Sequence, residues 1–331
     1  VLGGRAPESR WGKGSLQELD HVPVVESVTK LAFTSRVTSE IPSDVARALA
    51  AATTAHRGPA FVDFPLDVIF GPGEAEIDVA AAGEARPPSS DDVEAIAALL
   101  RESERPVLMV GADAYWEGAE DAVRALSEEC GLPVFMNGLG RGLLPADHPN
   151  AFARARSAAF RQGDLVIVVG TPLDFRLGFG DFGAARVVHV MDRPERLATG
   201  VELAASAAGD LPAVLDAVRE AGAGAERAEW LEALRGEERQ RRQKDDAMLT
   251  SDADPIHPGR LYGELIRRLD RDAIVIGDGG DFVSYAGKLV DTFTPGCFLD
   301  PGPYGCLGTG PGYAIGAATA HPDRQIVLLL G

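Results

Sequence analysis

CFLDPGPYGCLGTGPGYAIGAATAHPDRQIVLLLG, from Cys297 to Gly331, is the stretch from which the rest of the chain can be read. Seven glycines fall from Gly296 to Gly316, and an unbroken apolar run, 326–330, follows. Another apolar run, 273–276, precedes it. Glycine at this density between two strand signals marks a turn at a strand end rather than a linker. Such a turn, opening a helix, brings backbone N–H groups close to a phosphate, and the helix N-terminus favours the anion. The alternative is a tight turn packed against its own helix.

Working outward, the same strand–glycine–helix unit recurs. The run 273–276 leads into Gly277-Asp278-Gly279-Gly280-Asp281-Phe282, after an expected helix over 259–269 with Leu261, Leu265 and Ile266 inward. Gly279-Gly280 also reads as a simple tight turn. Between 88 and 222, strands are expected at 107–110, 133–136, 165–169 and 187–190. Helices are expected after a capping box at Asp91–Glu94, over 117–130 with Gly131 as the stop, and near 211–221. Strands alternating with helices at this spacing pair in parallel through right-handed crossovers, and ligands then bind at the strand C-terminal ends. Those ends carry Gly111, the run Asn137-Gly138-Leu139-Gly140-Arg141-Gly142, the run 170–180 (GTPLDFRLGFG) and Met191-Asp192. Earlier, Ile41-Pro42-Ser43 starts a helix, and 60–64 is a short strand ended by Pro65. Residues 1–24 read as irregular, 71–90 as an interdomain linker, and 222–257, with EERQRRQKDD, as a solvated helix or connector.

Composition narrows the function classes. A length of 331 residues suggests roughly two to three domains. A net charge of −18 excludes DNA and RNA as partners, because phosphate neutralisation needs clustered Lys and Arg. Cys130, Cys297 and Cys306 make no ligand spacing, and the His residues share none with carboxylates, so no metal ligand is assigned. No apolar run is long enough to span a bilayer, and a cytoplasmic location is expected.

The block LDPGPYGCLGTGPGYAIGAA with its strand resembles the diphosphate-binding half of thiamine-diphosphate (ThDP) enzymes of the acetolactate synthase family. The resemblance extends over nearly the whole chain. Gln17-Glu18 followed by Thr29-Lys30 resembles the close of that family's pyrimidine-binding domain, with Leu16 in place of an aromatic. HRGPAFVDFPLDV resembles its Gly-Pro…Pro-x-Asp signature. Leu66 stands where the family has a Lys, and Arg57 sits one place after a family Arg that helps hold FAD. The resemblance implies an α/β fold of successive doubly wound parallel-sheet (Rossmann-like) domains: 1–80 the end of the pyrimidine domain, 88–222 the central domain, 223–256 a linker and 257–331 the start of the diphosphate domain. The first and last domains are expected to be incomplete and the chain to be a piece of a longer enzyme, inactive alone.

What the resemblance implies for chemistry follows residue by residue. ThDP would be held by Gly277, Gly279, Gly280 and Asp281, where the family has Gln-His, and by Gly305, Cys306, Leu307 and Gly308. Leu307 would wedge between the cofactor rings, its alternative being ordinary core packing. Gln17 would lie near the active site, its alternative being a polar loop. Mg2+ ligands are expected beyond Gly331. The central domain would bind FAD, or ADP or CoA as in oxalyl-CoA decarboxylases and 2-hydroxyacyl-CoA lyases, at Gly111, Asn137, Gly138, Arg156, Gly170, Thr171, Asp174, Arg176 and Asp192. The segment 155–180 is closer to that second group. Arg156 and Arg176 are candidates for phosphate; the alternative is surface ion pairing. The activity implied is decarboxylation of a 2-oxoacid such as pyruvate and carboligation. The lyase or decarboxylase type acting on acyl-CoA, and a non-catalytic nucleotide-binding module, remain alternatives. A homodimer or homotetramer is expected.

Overall fold

Three parallel sheets organise the chain, each with a centre of residues buried on both faces. The computed structural model describes residues 1–77, 86–222 and 227–331. The chain divides into two compact units, Val1–Ala85 and Arg86–Gly331. In the first unit, β1 (Leu2–Arg5), β2 (Leu31–Thr34) and β3 (Ala60–Pro65) form a parallel sheet in the order β1-β3-β2. Every residue of β3 is buried, as expected of a central parallel strand, and helix Ile41–Thr53 packs on it through Ala48. The expectation of an irregular start is corrected here. Leu2–Arg5 has no apolar alternation, and its pairing to Val62 through Pro65 makes it a strand. Gly3 suits this place, since a Cβ there would sit 2.9 Å from Phe61 Cζ.

The second unit begins with a six-stranded parallel sheet. Its strands are β4 (Pro106–Val110), β5 (Val134–Met136), β6 (Ala151–Phe152), β7 (Leu165–Val169), β8 (Arg186–Met191) and β9 (Ala205–Ala208). The order is β6-β5-β4-β7-β8-β9. The chain winds outward from β4 to β6, returns to β7 and winds the other way, so the topological switch lies between β4 and β7. Helices Ser90–Glu102, Glu120–Cys130 and Leu211–Gly222 share one apolar cluster with one face of the sheet. The expected capping box is replaced by Ser89, whose side chain accepts from Asp92 N. Gly131, at φ 61°, ends its helix as expected. The strands β6 and β9 are two and four residues long and gave no sequence signal.

The second face holds a larger correction. Within the segment expected to be a solvated helix or connector, Ala228–Leu249 is a single 22-residue helix, and it is its burial that differs from the expectation. Trp230, Leu231 and Leu234 are buried in the cluster on this face of the sheet, and Trp230 Nε1 donates to Pro106 O at 3.0 Å. Glu238 and Asp245 are buried too, because each has cationic or N–H partners. Residues 78–85 and 223–226 of the two expected linkers lie outside the described residues.

The last domain is built on β10 (Ile274–Asp278), β11 (Phe298–Leu299) and β12 (Ile326–Leu330), parallel in the order β11-β10-β12. Helix Pro258–Ile266 starts at His257, whose Nδ1 accepts from Gly259 N at 3.0 Å. That histidine therefore has a capping role that spacing alone did not suggest. Helices Gly280–Leu289 and Gly310–Ala320 follow.

Arg227 ties the ends of two helices together: its guanidinium donates to Leu100 O, Ser103 O and Cys130 O from a buried position. Replacing it in Arg227→Met leaves those carbonyls without their charged donor. The substitution should destabilise the protein by about 2–3 kcal/mol, read as a lower urea midpoint at unchanged slope.

Candidate functional site

At the switch between β4 and β7 the backbones approach too closely for any side chain. A Cβ on Gly111 would lie 2.3 Å from Thr171 Cβ, 2.8 Å from Gly170 O and 2.9 Å from Asn137 Oδ1. Gly170 takes a positive φ of 62°, which a side chain would strain. Gly111, Asn137, Gly170 and Thr171 thus converge. Asn137 Nδ2 faces Thr171 Oγ1 at 3.4 Å, while the buried Asn137 Oδ1 has no partner. His189 Nε2 contacts Thr171 O at 3.1 Å and its Nδ1 accepts from Ala198 N, so the ring is a neutral tautomer. Burial pushes its pKa down, opposed in part by the Thr171 carbonyl.

Beside this switch a cavity of about 760 Å³ opens within the second unit. Its walls come from β5 and β6 and the segments that follow them, from helix Ala228–Leu249 and from helix Gly280–Leu289. Seven Arg or Lys residues line it against two Asp, a strong local reversal in a chain of charge −18. Most of these cations are already committed. Arg176 is held by Asp174, with Nη2 to Oδ2 at 2.6 Å. Arg154 bonds Asp245, Asp291 and Leu289 O, and Lys288 pairs with Asp245 at 2.8 Å. Arg141 and Arg156 differ. Among the described residues neither side chain makes a hydrogen bond or ion pair; Arg141 only stacks on Phe298, 4.6 Å from the ring centroid. Burial pushes the Arg141 pKa down to about 10, with Asp300 opposing, and burial lowers that of Arg156. Buried guanidinium without an acid is costly unless an anion completes it. A cavity of this size holds a nucleotide-sized ligand, and the two open guanidinia suit its phosphates.

Glu238 sets the position of Arg156. Its Oε2 accepts from the N–H groups of Ala153, Arg154 and Ala155 at 3.2, 2.8 and 2.8 Å, immediately before helix Arg156–Gln162.

The second place with chemical features is the C-terminal edge of the last sheet. Loop 300–309 carries Gly302, Gly305 and Gly308 at φ 66°, 61° and 87°, with open space around each. Leu307 projects from it, 73% exposed. Opposite, Gly279 has φ 90°, and a Cβ there would meet Gly331 O at 2.5 Å. The N–H groups of Gly280, Asp281 and Phe282, in the first turn of their helix, make no hydrogen bond among the described residues. The N–H groups of Gly308 and Gly310, by contrast, are taken by the carboxylate of Asp278. The expectation that the glycine-rich loop itself offers its amides to a phosphate is corrected to that extent. An anion is already there, and it belongs to the protein.

Residues 93–218 match the thiamine pyrophosphate enzyme central domain, and residues 278–331 match the thiamine pyrophosphate enzyme C-terminal TPP binding domain. The chain belongs to the thiamine pyrophosphate enzymes. Over its whole length it is 47% identical to the acetolactate synthase large subunit IlvG of Mycobacterium tuberculosis and to a probable acetolactate synthase of Mycobacterium bovis, covering 61% of each. It is 30% identical to 2-hydroxyacyl-CoA lyase 2 of Caenorhabditis elegans, covering 59% of that protein. The chain therefore spans about three fifths of the length of the curated relatives it matches.

In this chain the candidate residues fall into three groups. Gly277, Gly279, Gly280, Asp281, Gly305, Cys306, Leu307 and Gly308 lie around the C-terminal edge of the last sheet. Asn137, Gly138, Arg156 and Arg176 line the cavity, with Gly111, Gly170, Thr171, Asp174 and the buried Asp192 at or behind the strand ends. Gln17, exposed at φ 59°, and Arg57 belong to the other unit. Of the two arginines singled out from sequence, Arg176 has the ion-pair fate and Arg156 stays open. Arg141, Glu238 and Asp278 were missed as functional positions. Arg141 stood in a glycine run quoted for its backbone, and the two acids act on segments 30 to 85 residues away in sequence. Unit one holds a further cluster, in which buried Asp63 meets His21 Nδ1 at 3.0 Å and Arg5 Nη1 at 3.7 Å.

Arg141→Gln and Arg156→Gln should each weaken ADP binding by about tenfold, measured by calorimetry, whereas Arg161→Gln should not. Wild-type affinity for the same ligand should fall as pH rises through about 10, where Arg141 loses its proton.

Proposed function

We propose that this chain is the greater part of a ThDP-dependent enzyme of the acetolactate synthase type, decarboxylating a 2-oxoacid such as pyruvate and joining the product to a second carbonyl compound. Its parts would be the end of a pyrimidine domain over 1–80, a central domain over 88–222 and the start of a diphosphate domain over 257–331. The observation that carries the reading is the open turn that projects Leu307 beside a strand end with unused N–H groups, in a chain 47% identical to two acetolactate synthases. The residues present fit the cofactor: glycine leaves the space, and the first turn of helix Gly280–Leu289 offers donors for a diphosphate. When bound, ThDP supplies the electron sink that accepts the electron pair left by loss of CO2. The chain's own contribution would be to hold the diphosphate at Gly280 and Asp281 and to place Leu307 against the cofactor. Mg2+ would accompany the diphosphate.

A second reading is the 2-hydroxyacyl-CoA lyase or oxalyl-CoA decarboxylase type. The unpaired Arg141 and Arg156 in the cationic cavity favour it, since CoA and ADP carry phosphates that fit them, and Leu66 favours it too. Under the first reading the same cavity takes FAD. Three free cysteines suit a reducing, cytoplasmic setting. Among the described residues no helix is long and apolar enough to cross a membrane. Exposed Ile315 and half-exposed Tyr313 on helix Gly310–Ala320 support a homodimer or homotetramer.

The full-length protein with ThDP and Mg2+ should consume pyruvate and release CO2, and Leu307→Ala should lower kcat by about tenfold or more at unchanged thermal stability. Turnover of 2-hydroxyacyl-CoA without turnover of pyruvate would transfer the assignment to the lyase type. A flavin spectrum in the purified protein would assign the cavity to FAD.

A further inference from the structure

Resting on the ThDP reading above, we propose that Asp278 is a positioning residue, an internal anion that holds loop 305–310 in the shape that presents Leu307 to the cofactor. Asp278 ends β10 and is 4% exposed. Both its oxygens lie 3.0 Å from Gly308 N, and Oδ2 accepts from Gly310 N at 2.8 Å. Leu307 is the residue just before the first of these amides. Its side chain is exposed and has no core contact to fix it, so its direction comes from the backbone alone. That backbone is glycine on both sides of the Cys306-Leu307 pair, at φ 61° and 87°, and glycine has no steric preference for such a shape. The two amides bound by Asp278 are the contacts that select it. A Cβ on Gly310 would sit 2.7 Å from Asp278 Cβ, so β10 and the loop meet at a distance only glycine allows.

The same contact divides labour between two helix ends. Helix Gly310–Ala320 has its positive end satisfied by the Asp278 carboxylate. Helix Gly280–Leu289 begins two residues after Asp278 and keeps its first-turn donors open. A diphosphate is therefore steered to the second helix and kept off the first, where the fixed negative charge repels it.

The test uses Asp278→Ala and Asp278→Asn in the full-length protein. Exchange of the Gly308 and Gly310 amides is followed by hydrogen–deuterium mass spectrometry without cofactor, and ThDP–Mg2+ binding by tryptophan quenching. In the wild type both amides should be protected. Asp278→Ala should lose that protection and bind ThDP more weakly, on the order of tenfold. Added formate, filling the vacated place, should restore protection and affinity together, which a general loss of stability would not allow. Asp278→Asn keeps one oxygen within reach of both amides but removes the charge; it should weaken protection less than Asp278→Ala, without response to formate, and it decides the matter should the alanine variant fail to fold. Unprotected amides in the wild type, or unchanged ThDP affinity in both variants, would overturn the proposal. A wild type that binds no ThDP, with amide protection still dependent on Asp278, would overturn the cofactor reading and leave the loop contact standing.

Discussion

Three backbone N–H groups in a row, at Ala153, Arg154 and Ala155, converge on one carboxylate oxygen of Glu238. Without that contact the turn before helix Arg156–Gln162 would leave the buried Ala155 N–H unsatisfied, at about 1–3 kcal/mol. With it, a long charged helix becomes part of the central domain rather than a tether. The other oxygen of Glu238 accepts from Arg242, which also reaches Asp291, and Asp291 in turn holds Arg154. Burial pushes the Asp291 carboxyl up, and the hydrogen bonds and charges of Arg242 and Arg154 more than reverse this. The central and last domains are joined by this chain of ion pairs and by close backbone contacts, as where a Cβ on Gly142 would lie 2.3 Å from Thr294 O.

Charge is used in two ways within this unit. Glu238 and Asp278 are complete: their acceptor oxygens are filled by groups that belong to the fold, backbone amides for both and the Arg242 guanidinium for Glu238. Arg141 and Arg156 are incomplete: they line a cavity in which, among the described residues, neither makes a hydrogen bond or ion pair. A folded chain tolerates the first kind as structure. The second kind raises the free energy of the empty protein, and it is lowered again only when a ligand brings negative charge. The division separates scaffold from binding surface without reference to any relative.

Much of the architecture was legible in the sequence because parallel strands buried on both faces are unbroken apolar runs. Pro106–Val110 and Leu165–Val169 announce themselves in this way, and Gly111 and Gly170 after them mark the strand ends. Elements made by tertiary pairing were not legible. Leu2–Arg5 and Ala205–Ala208 have no strand pattern of their own, and only the partners β3 and β8 make them strands. The same limit governed the site. Glycine-rich turns could be read as turns, but which amides remain free depends on Asp278, thirty residues before Gly308. Arg156 and Arg176 looked alike in sequence, and only the short reach to Asp174 separates them.

Among the described residues Leu307 belongs to no apolar cluster. Its shape is therefore decoupled from folding, and exchange of one side chain for another there leaves the packed interior undisturbed, as at ordinary surface positions. The side chain at 307 can thus be exchanged one residue at a time on an unaltered scaffold.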